Sequence, residues 1–373
     1  MKIAHFIGTL RKESEDGVAR VLLALVREAQ RRAIQSMIIT GWAQDRGESP
    51  VSVIEVPSIT LPFYKAYKVP LPGMAAFKEE LDRFNSQVIH VHSPDIIAWS
   101  ALKYARKRQI PIVDTYHTNF SQYLSYYHIG FLRPLLWFVL KRLYRKMDIV
   151  TTPSAVATEE LAGRGITART IPWGVDLDVF SPSFRSNQFR SDISRGKEKK
   201  IILCVSRLTW EKDVRTVAET YNLLKENRDD FVLVMAGDGP DRAALESMMT
   251  GAVFLGFIHG EQLSTAYASS DVLLFVSSTE TFGNVTAEAM ASGIVPVVAD
   301  AGGSRTLVSD GKTGLLARPK DADDFYRKIC LLLEDERLRQ RMRANVLAFA
   351  KNLTWEKTFD TLLGMYASLM DRT

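Results

Sequence analysis

The chain has 373 residues, 46% of them hydrophobic and 24% charged, with a formal net charge of +5. That length exceeds one ordinary core and suits two α/β domains of about 150–200 residues each, and the composition excludes a disordered chain. The only cysteines, Cys204 and Cys330, form no CxxC pair, which argues against a disulfide framework or a zinc site and for a reducing, cytoplasmic setting.

The first residues, Met1 to Gly8, hold an apolar run too short for a secretory signal and read as a buried strand. Val/Ile-rich runs then alternate with amphipathic stretches, the pattern of a parallel sheet covered by helices on both faces. In the first half, strands are predicted over Lys2–Ile7, Ser36–Thr40, Val88–His92, Ile112–Tyr116 and Ile149–Thr152. Helices are predicted over Val18–Arg32, Met74–Phe84, Ile97–Lys107 and Arg133–Lys146. The greasiest stretch, Phe131 to Leu140, is broken by Arg133 and Pro134 and cannot span a bilayer. Residues 181–200 (SPSFRSNQFRSDISRGKEKK) are polar, basic and Ser-rich and read as a linker. A second strand series opens at Ile201–Val205 and continues through Phe231–Ala236, Val253–Phe254, Val272–Val276 and Ile294–Val298. Trp355–Met370 closes the chain as a helix with no strand after it. The expected division is therefore 1–180, a linker 181–200, 201–354, and a terminal helix 355–373: two Rossmann-like, doubly wound α/β domains with a ligand cleft between them.

The most specific chemical signal is ETFGNVTAE, Glu280 to Glu288, after the strand Val272–Val276. A helix opening near Gly283 offers unpaired backbone amides as a seat for a diphosphate. Gly283 keeps side-chain bulk away from approaching phosphate oxygens. Glu280 before that helix and Glu288 within it can accept hydrogen bonds from sugar and ribose hydroxyls. Arg207 and Lys212 follow the strand that opens the second half, where two cations can neutralise a leaving diphosphate without a divalent metal. Gly237 heads a Gly-rich turn, Gly237–Pro240, after another strand; Gly302–Ser304 and Asp310–Gly314 are further turns. In the first half, Gly17 falls in the loop after strand one, and His117 stands at a strand end, placed to contact a transferred sugar or its acceptor. His90 and His92 share one strand face as a metal pair would, but no third ligand is evident. Phe131 to Met147 mixes aromatic and basic residues; it fits a helix resting on anionic lipid and equally a helix packed on the sheet with a solvated basic face.

Taken together, these motifs resemble glycosyltransferase family 4, the group 1 retaining transferases of GT-B fold, over nearly the whole chain. The marks are the E-x7-E pair Glu280/Glu288, Arg207 with Lys212, the Gly237–Pro240 turn, and the Val88–Ser93 strand with His92. The resemblance implies an N-terminal acceptor-side domain, a C-terminal domain that binds a nucleotide diphosphate sugar, and a last helix crossing back to the first domain. It further implies that Arg207 and Lys212 hold the diphosphate, Glu288 the ribose, Glu280 and the Asn284 and Val285 amides the sugar and distal phosphate, and that His117 faces the sugar. Leu61–Tyr64, Tyr67–Lys68 and Tyr116–Phe120 look most like GDP-mannose-dependent α-mannosyltransferases and like sulfoquinovosyl or glucosyl diacylglycerol synthases. The expected activity is retaining, metal-independent transfer of a hexose, mannose from GDP-mannose before a UDP-linked sugar, to a lipid or saccharide acceptor. No cofactor and no nucleic-acid partner are expected, and the inner face of an anionic membrane is a candidate peripheral contact. The alternatives are a sugar phosphorylase of the same fold and a nucleotide-sugar-binding scaffold; a dehydrogenase is disfavoured because G-x-G-x-x-G is missing after strand one. Three positions depart from the family pattern: Asp16 precedes a single Gly17, Ser277-Ser278 replaces Pro-Ser, and Asp213 stands where Gly is common.

Overall fold

Two apolar strand series produce two parallel sheets, one in each of the units into which the chain divides: Met1–Trp173 with Trp355–Thr373, and Gly174–Thr354. The computed structural model describes residues 1–12, 16–44, 49–61, 64–71, 73, 77–119 and 130–371. Pro62, Phe63, Met74 and Phe120, which entered the sequence expectations, lie outside the described residues.

In the first unit, strands β1 (Lys2–Ile7), β2 (Gln35–Thr40), β3 (Ser52–Glu55), β6 (Val88–Val91), β7 (Ile112–Thr115), β8 (Ile149–Thr152) and β9 (Arg169–Thr170) align in the order β3-β2-β1-β6-β7-β8-β9. A β4–β5 hairpin (Ser58–Leu61, Tyr64–Pro70) forms its own antiparallel pair. Among the described residues five helices intervene: α1 (Gly17–Arg31), α2 (Lys78–Phe84), α3 (Ile96–Arg108), α4 (Arg133–Tyr144) and α5 (Ala155–Ala162). Because helices cover both faces, strand residues of both parities are buried: Ile3, Ala4, Phe6, Val88, Ile89 and Val91 are all inaccessible. The strand order reverses between β1 and β6, the switch point at which such sheets open a crevice.

The second unit repeats the plan with β10 (Lys200–Val205), β11 (Phe231–Ala236), β12 (Val253–Gly256), β13 (Val272–Phe275), β14 (Val295–Ala299) and β15 (Leu315–Ala317), ordered β12-β11-β10-β13-β14-β15. Its helices are α6 (Asn187–Ser194), α7 (Val214–Asn227), α8 (Arg242–Met248), α9 (Glu261–Ala268), α10 (Asn284–Ala291), α11 (Ala322–Glu334) and α12 (Glu336–Ala350). The last helix, α13 (Trp355–Met370), belongs to the first unit. There Arg32 pairs with Asp360 at 2.7 Å and lies 5.1 Å from the Phe359 ring, and the Thr358 hydroxyl donates to the Pro172 carbonyl at 2.8 Å.

Two expectations change. Residues 181–200 are part of the second unit and contain α6, so they are not a plain linker. Ser186 caps α6 through the Phe189 amide, and Arg190 anchors it to Asp271 at 2.9 Å and to the Ser269 and Lys199 carbonyls. With the anchorage mainly ionic and polar, only Phe189 and Ile193 mark an apolar stripe, too short for periodicity to reveal. Gly17 is the first residue of α1 and not a loop residue. Asp16 caps that helix, its Oδ1 accepting from the Val18 amide at 2.7 Å and the Ala19 amide at 3.0 Å. A carboxylate thus already occupies two of the amides that an anion would need.

Candidate active site

Chemistry-bearing loops of the second unit gather at the carboxyl ends of β10, β11 and β13. Beyond β10 the chain runs through Ser206 and Arg207 into a 3₁₀ turn at Trp210–Lys212. The Gly237–Pro240 turn holds this loop: the Leu208 amide donates to the Asp238 carbonyl at 2.9 Å, and the Trp210 amide to the Asp241 carboxylate at 2.8 Å. Gly237 has φ +137°, and a Cβ there would lie 1.9 Å from the Ser206 carbonyl oxygen. Its glycine is therefore required by contact between two loops, a positioning role one step removed from any ligand.

Beyond β13, Ser277 to Gly283 carry Glu280 towards Lys212. The Lys212 ammonium donates to Glu280 Oε1 at 2.8 Å, and the Ser277 hydroxyl donates to the same oxygen at 3.0 Å. Lys212 is buried to 11% side-chain exposure, while Arg207, bonded to Glu211 at 2.8 Å, keeps 51%. Burial pushes the Glu280 carboxyl up, but the Lys212 charge and hydrogen bond, Ser277 and the Arg207 charge more than offset it, so it lies below the ordinary carboxylate value. Asp213, in the left-handed region at φ 56°, accepts from the Ser278 amide at 3.1 Å and the Ser278 hydroxyl at 2.5 Å. One departure from the family pattern, Asp213, thus holds the serine that precedes the Thr279-Glu280 pair. The backbone strain at Asp213 is offset by a clamp that a glycine could not make. Gly302 and Gly303 close the other side; the Gly303 amide donates to the Glu280 carbonyl at 2.6 Å, and a Cβ at Gly303 would sit 2.3 Å from the Thr281 carbonyl.

The helix α10 starts immediately after. Its N-cap, Gly283, has φ +102° and provides no side-chain cap, unlike Asp16 at α1. The first-turn amides, Asn284 and Val285 among them, therefore lack a capping side chain and form a positive helix mouth. A Cβ on Gly283 would lie 2.3 Å from the Ser304 hydroxyl, so this glycine also serves loop packing, beyond the steric clearance expected from sequence. Within α10, Glu288 is buried and accepts from the Tyr267 hydroxyl at 2.8 Å.

The structure therefore joins Lys212 to Glu280 directly, brings the charge of Arg207 to bear on that pair, and sets Gly283, Asn284 and Val285 on the same segment. Sequence reasoning missed Ser277, Asp213 and Tyr267. Ser277 and Asp213 each left a signal, as departures from the family pattern, and Tyr267 left none.

In the first unit, His117 follows β7, buried, stacked on Trp173 with ring centroids 5.1 Å apart. Its Nε2 shares a hydrogen bond with His92 Nδ1 at 3.0 Å, and His92 Nε2 shares another with His5 Nδ1 at 3.0 Å. Beside this row, His90 bonds the Thr115 hydroxyl at 2.7 Å and the Tyr366 hydroxyl of α13 at 2.6 Å. Burial holds His5 and His117 down at about 3 and, with the neighbouring imidazoles, keeps His90 and His92 well below the usual value, so all four rings are neutral. His5 supplies the third ligand that sequence reading lacked: His5, His90 and His92 present nitrogens within 4.8 Å of one another. Both nitrogens of His90 are nevertheless taken by hydroxyls and both of His92 by imidazoles. A metal would have to break this network, so it reads as a hydrogen-bonded core.

Residues 16–179 match the family Glycosyltransferase Family 4, and residues 186–348 match Glycosyl transferases group 1. A GDP-mannose-dependent alpha-mannosyltransferase of Mycolicibacterium smegmatis is 33% identical across 96% of this chain and 95% of its own length. The chain belongs to glycosyltransferase family 4. This transferase is also 36% identical to the sulfoquinovosyl transferase SQD2 of Arabidopsis thaliana over 77% of its own chain, spanning 58% of that protein. In fold it is similar to a sucrose-phosphate synthase of Thermosynechococcus elongatus, with TM-score 0.81 and 20% identity over the full length of both chains. The Anabaena protein HepE, solved in complex with UDP and glucose, gives TM-score 0.78 at 18% identity over 99% of each chain. The transferase thus has two Rossmann-like parallel-sheet domains of the GT-B class.

Proposed function

We propose that the transferase moves mannose from GDP-mannose to a lipid or saccharide acceptor, with retention of configuration and without a metal ion. The observation that carries this reading is the Lys212–Glu280 pair beside the uncapped mouth of α10. Lys212 and Arg207 supply two positive charges, and the Asn284 and Val285 amides a third source of positive potential, where a diphosphate leaves. With its charge spread over these donors, the leaving group needs no divalent ion. Glu280, held ionised by its neighbours, accepts from sugar hydroxyls, and Glu288 from the ribose. Gly237 and Gly283 position the loops that carry these groups, and His117 contacts the transferred sugar or its acceptor. Retention follows the family's front-face route, in which a phosphate oxygen of the donor takes the acceptor proton as the glycosidic bond forms.

The similarity to GDP-mannose-dependent relatives over nearly their whole length supports the guanine nucleotide. The higher identity to SQD2, over a shorter stretch, favours a second reading: a UDP-linked sugar and a diacylglycerol acceptor. Nucleotide release from GDP-mannose, UDP-glucose and UDP-sulfoquinovose, measured with diacylglycerol and oligosaccharide acceptors, separates the two. Turnover of UDP donors alone would overturn the mannosyl assignment. An inverted anomer by NMR would remove retention, and loss of activity in EDTA, restored by magnesium, would remove metal independence.

Peripheral contact with an anionic membrane completes the reading. The α4 region exposes Phe131, Leu135 and Phe138 at 77%, 59% and 65%, next to the exposed Arg133, Arg142 and Arg145. No helix among the described residues is long and apolar enough to cross a membrane. Sedimentation with phosphatidylglycerol vesicles should fall as salt rises; salt-independent or absent binding refutes the contact.

A further inference from the structure

The basic stretch 181–200 is not used by the transfer site, yet it forms one wall of a cavity of about 490 Å³, within the size range of small-molecule sites. The other wall is α12. The cavity lies at the amino edge of the second sheet, where Lys200 opens β10 and Asp271 precedes β13. Lys212 and Glu280 follow the carboxyl ends of those strands, so the length of β10, about 20 Å, separates the two places.

The cavity is lined by seven cations and three carboxylates. Three of the cations are committed: Arg190 to Asp271 at 2.9 Å, Lys200 to Glu336 at 3.1 Å, and Arg339 to Glu336 and the Leu332 carbonyl. Those bonds use two of the three carboxylates; the third, Glu198, is exposed. The remaining cations, Arg185, Lys197, Lys199 and Arg343, make no salt bridge among the described residues. Arg343 lies one turn beyond Arg339 on the same face of α12. The Arg185 guanidinium reaches only the Ala268 carbonyl, at 3.4 Å. Burial pushes the Arg185 guanidinium below its ordinary value, and the charges of Arg190 and Arg343 push it further against the opposing pull of Asp271. Like charges held together in a concave site cost free energy that a bound anion relieves.

We propose that this cavity is a second anion site of the transferase, in which Arg185 and Arg343 clamp the phosphate of a phosphorylated small molecule. Guanidinium forks match phosphate oxygens two at a time, and Lys197 and Lys199 add charge at the rim. The site does not depend on which donor sugar the enzyme uses.

Inorganic pyrophosphate is the probe, titrated calorimetrically at low salt into four proteins. The wild type should show two binding sites. Lys212→Met should remove one and keep the other. The double variant Arg185→Gln/Arg343→Gln should weaken the second at least tenfold while keeping the first, and the double variant Arg337→Gln/Arg341→Gln, on exposed residues outside the cavity, should keep both. One site in the wild type, lost in Lys212→Met alone, overturns the proposal; so does equal weakening by the two arginine pairs, which would mean general surface charge. Phosphatidylglycerol vesicles provide the second arm. Vesicle binding that needs Arg185 and Arg343, with no pyrophosphate binding there, overturns it in favour of a lipid headgroup.

Discussion

Replacing Lys212 with methionine keeps the length of the side chain and deletes the charge that faces Glu280. At 2.8 Å and an effective dielectric near 20, the gross attraction between the two is about 6 kcal/mol. Desolvation of both partners reduces the net value, and breaking a buried pair from one side typically costs about 3–5 kcal/mol because the other charge is stranded. The sign of the pH dependence follows from Glu280. In the wild type its carboxyl is held below the unfolded value, so its contribution is complete above that value and is lost as the pH falls through the folded one. In Lys212→Met the upward push of burial is opposed only by Ser277 and Arg207, the carboxyl rises, and protonation relieves the variant as the pH falls. Urea unfolding followed by tryptophan fluorescence should therefore show a deficit of about 3–5 kcal/mol at pH 7.5 that narrows by at least about 1 kcal/mol at pH 5. The double variant Lys212→Met/Glu280→Gln, with neither charge left, should recover most of it. A deficit that is the same at both pH values, with no recovery in the double variant, refutes the reasoning.

Gly237→Ala places a methyl 1.9 Å from the Ser206 carbonyl at a φ of +137°, and should cost about 3 kcal/mol or more and lower Tm by more than 5 °C; a Tm within 2 °C of wild type would show that the two loops are free to part. Tyr366→Phe deletes the 2.6 Å bond to His90 and should destabilise the first unit by about 1–2 kcal/mol in chemical denaturation. An unchanged midpoint would mean that His90 finds another partner. Glu288→Ala should weaken calorimetric binding of free GDP at least tenfold, or about 1.4 kcal/mol, and an unaltered affinity would take Glu288 away from the ribose.

The sheets were legible because both of their faces are buried: near-continuous Val/Ile runs such as Ile201–Val205 identify themselves without any partner. The β4–β5 hairpin escaped because polar residues interrupt SITL and YKAYKVP, and β15 because it is only three residues long. At the candidate site, Arg207, Lys212 and Glu280 stood out in the sequence as ionisable groups just beyond strand ends, and Glu288 by its spacing from Glu280. Their supports did not. Tyr267 meets Glu288 across 21 positions and Asp213 meets Ser278 across 65, distances over which no local pattern operates. Gly17 misled because a lone glycine after a strand fits a loop and a first helical turn equally well, and only the Asp16 carboxylate on the Val18 and Ala19 amides decides between them. His5 went unnoticed beside His90 and His92 because it comes from a different strand, and a parallel sheet brings β1 next to β6 only once folded.

The placement of α13 has a consequence for biosynthesis. Residues 174–354 are contiguous, so that unit holds every segment it needs before α13 is made. The first unit is completed only after the second: the apolar face that receives Phe359, Leu362 and Tyr366, and the hydroxyl that bonds His90, must await the synthesis of α13. A ribosome stalled just short of Trp355 would thus present one complete domain and one with an open flank, a natural target for chaperones.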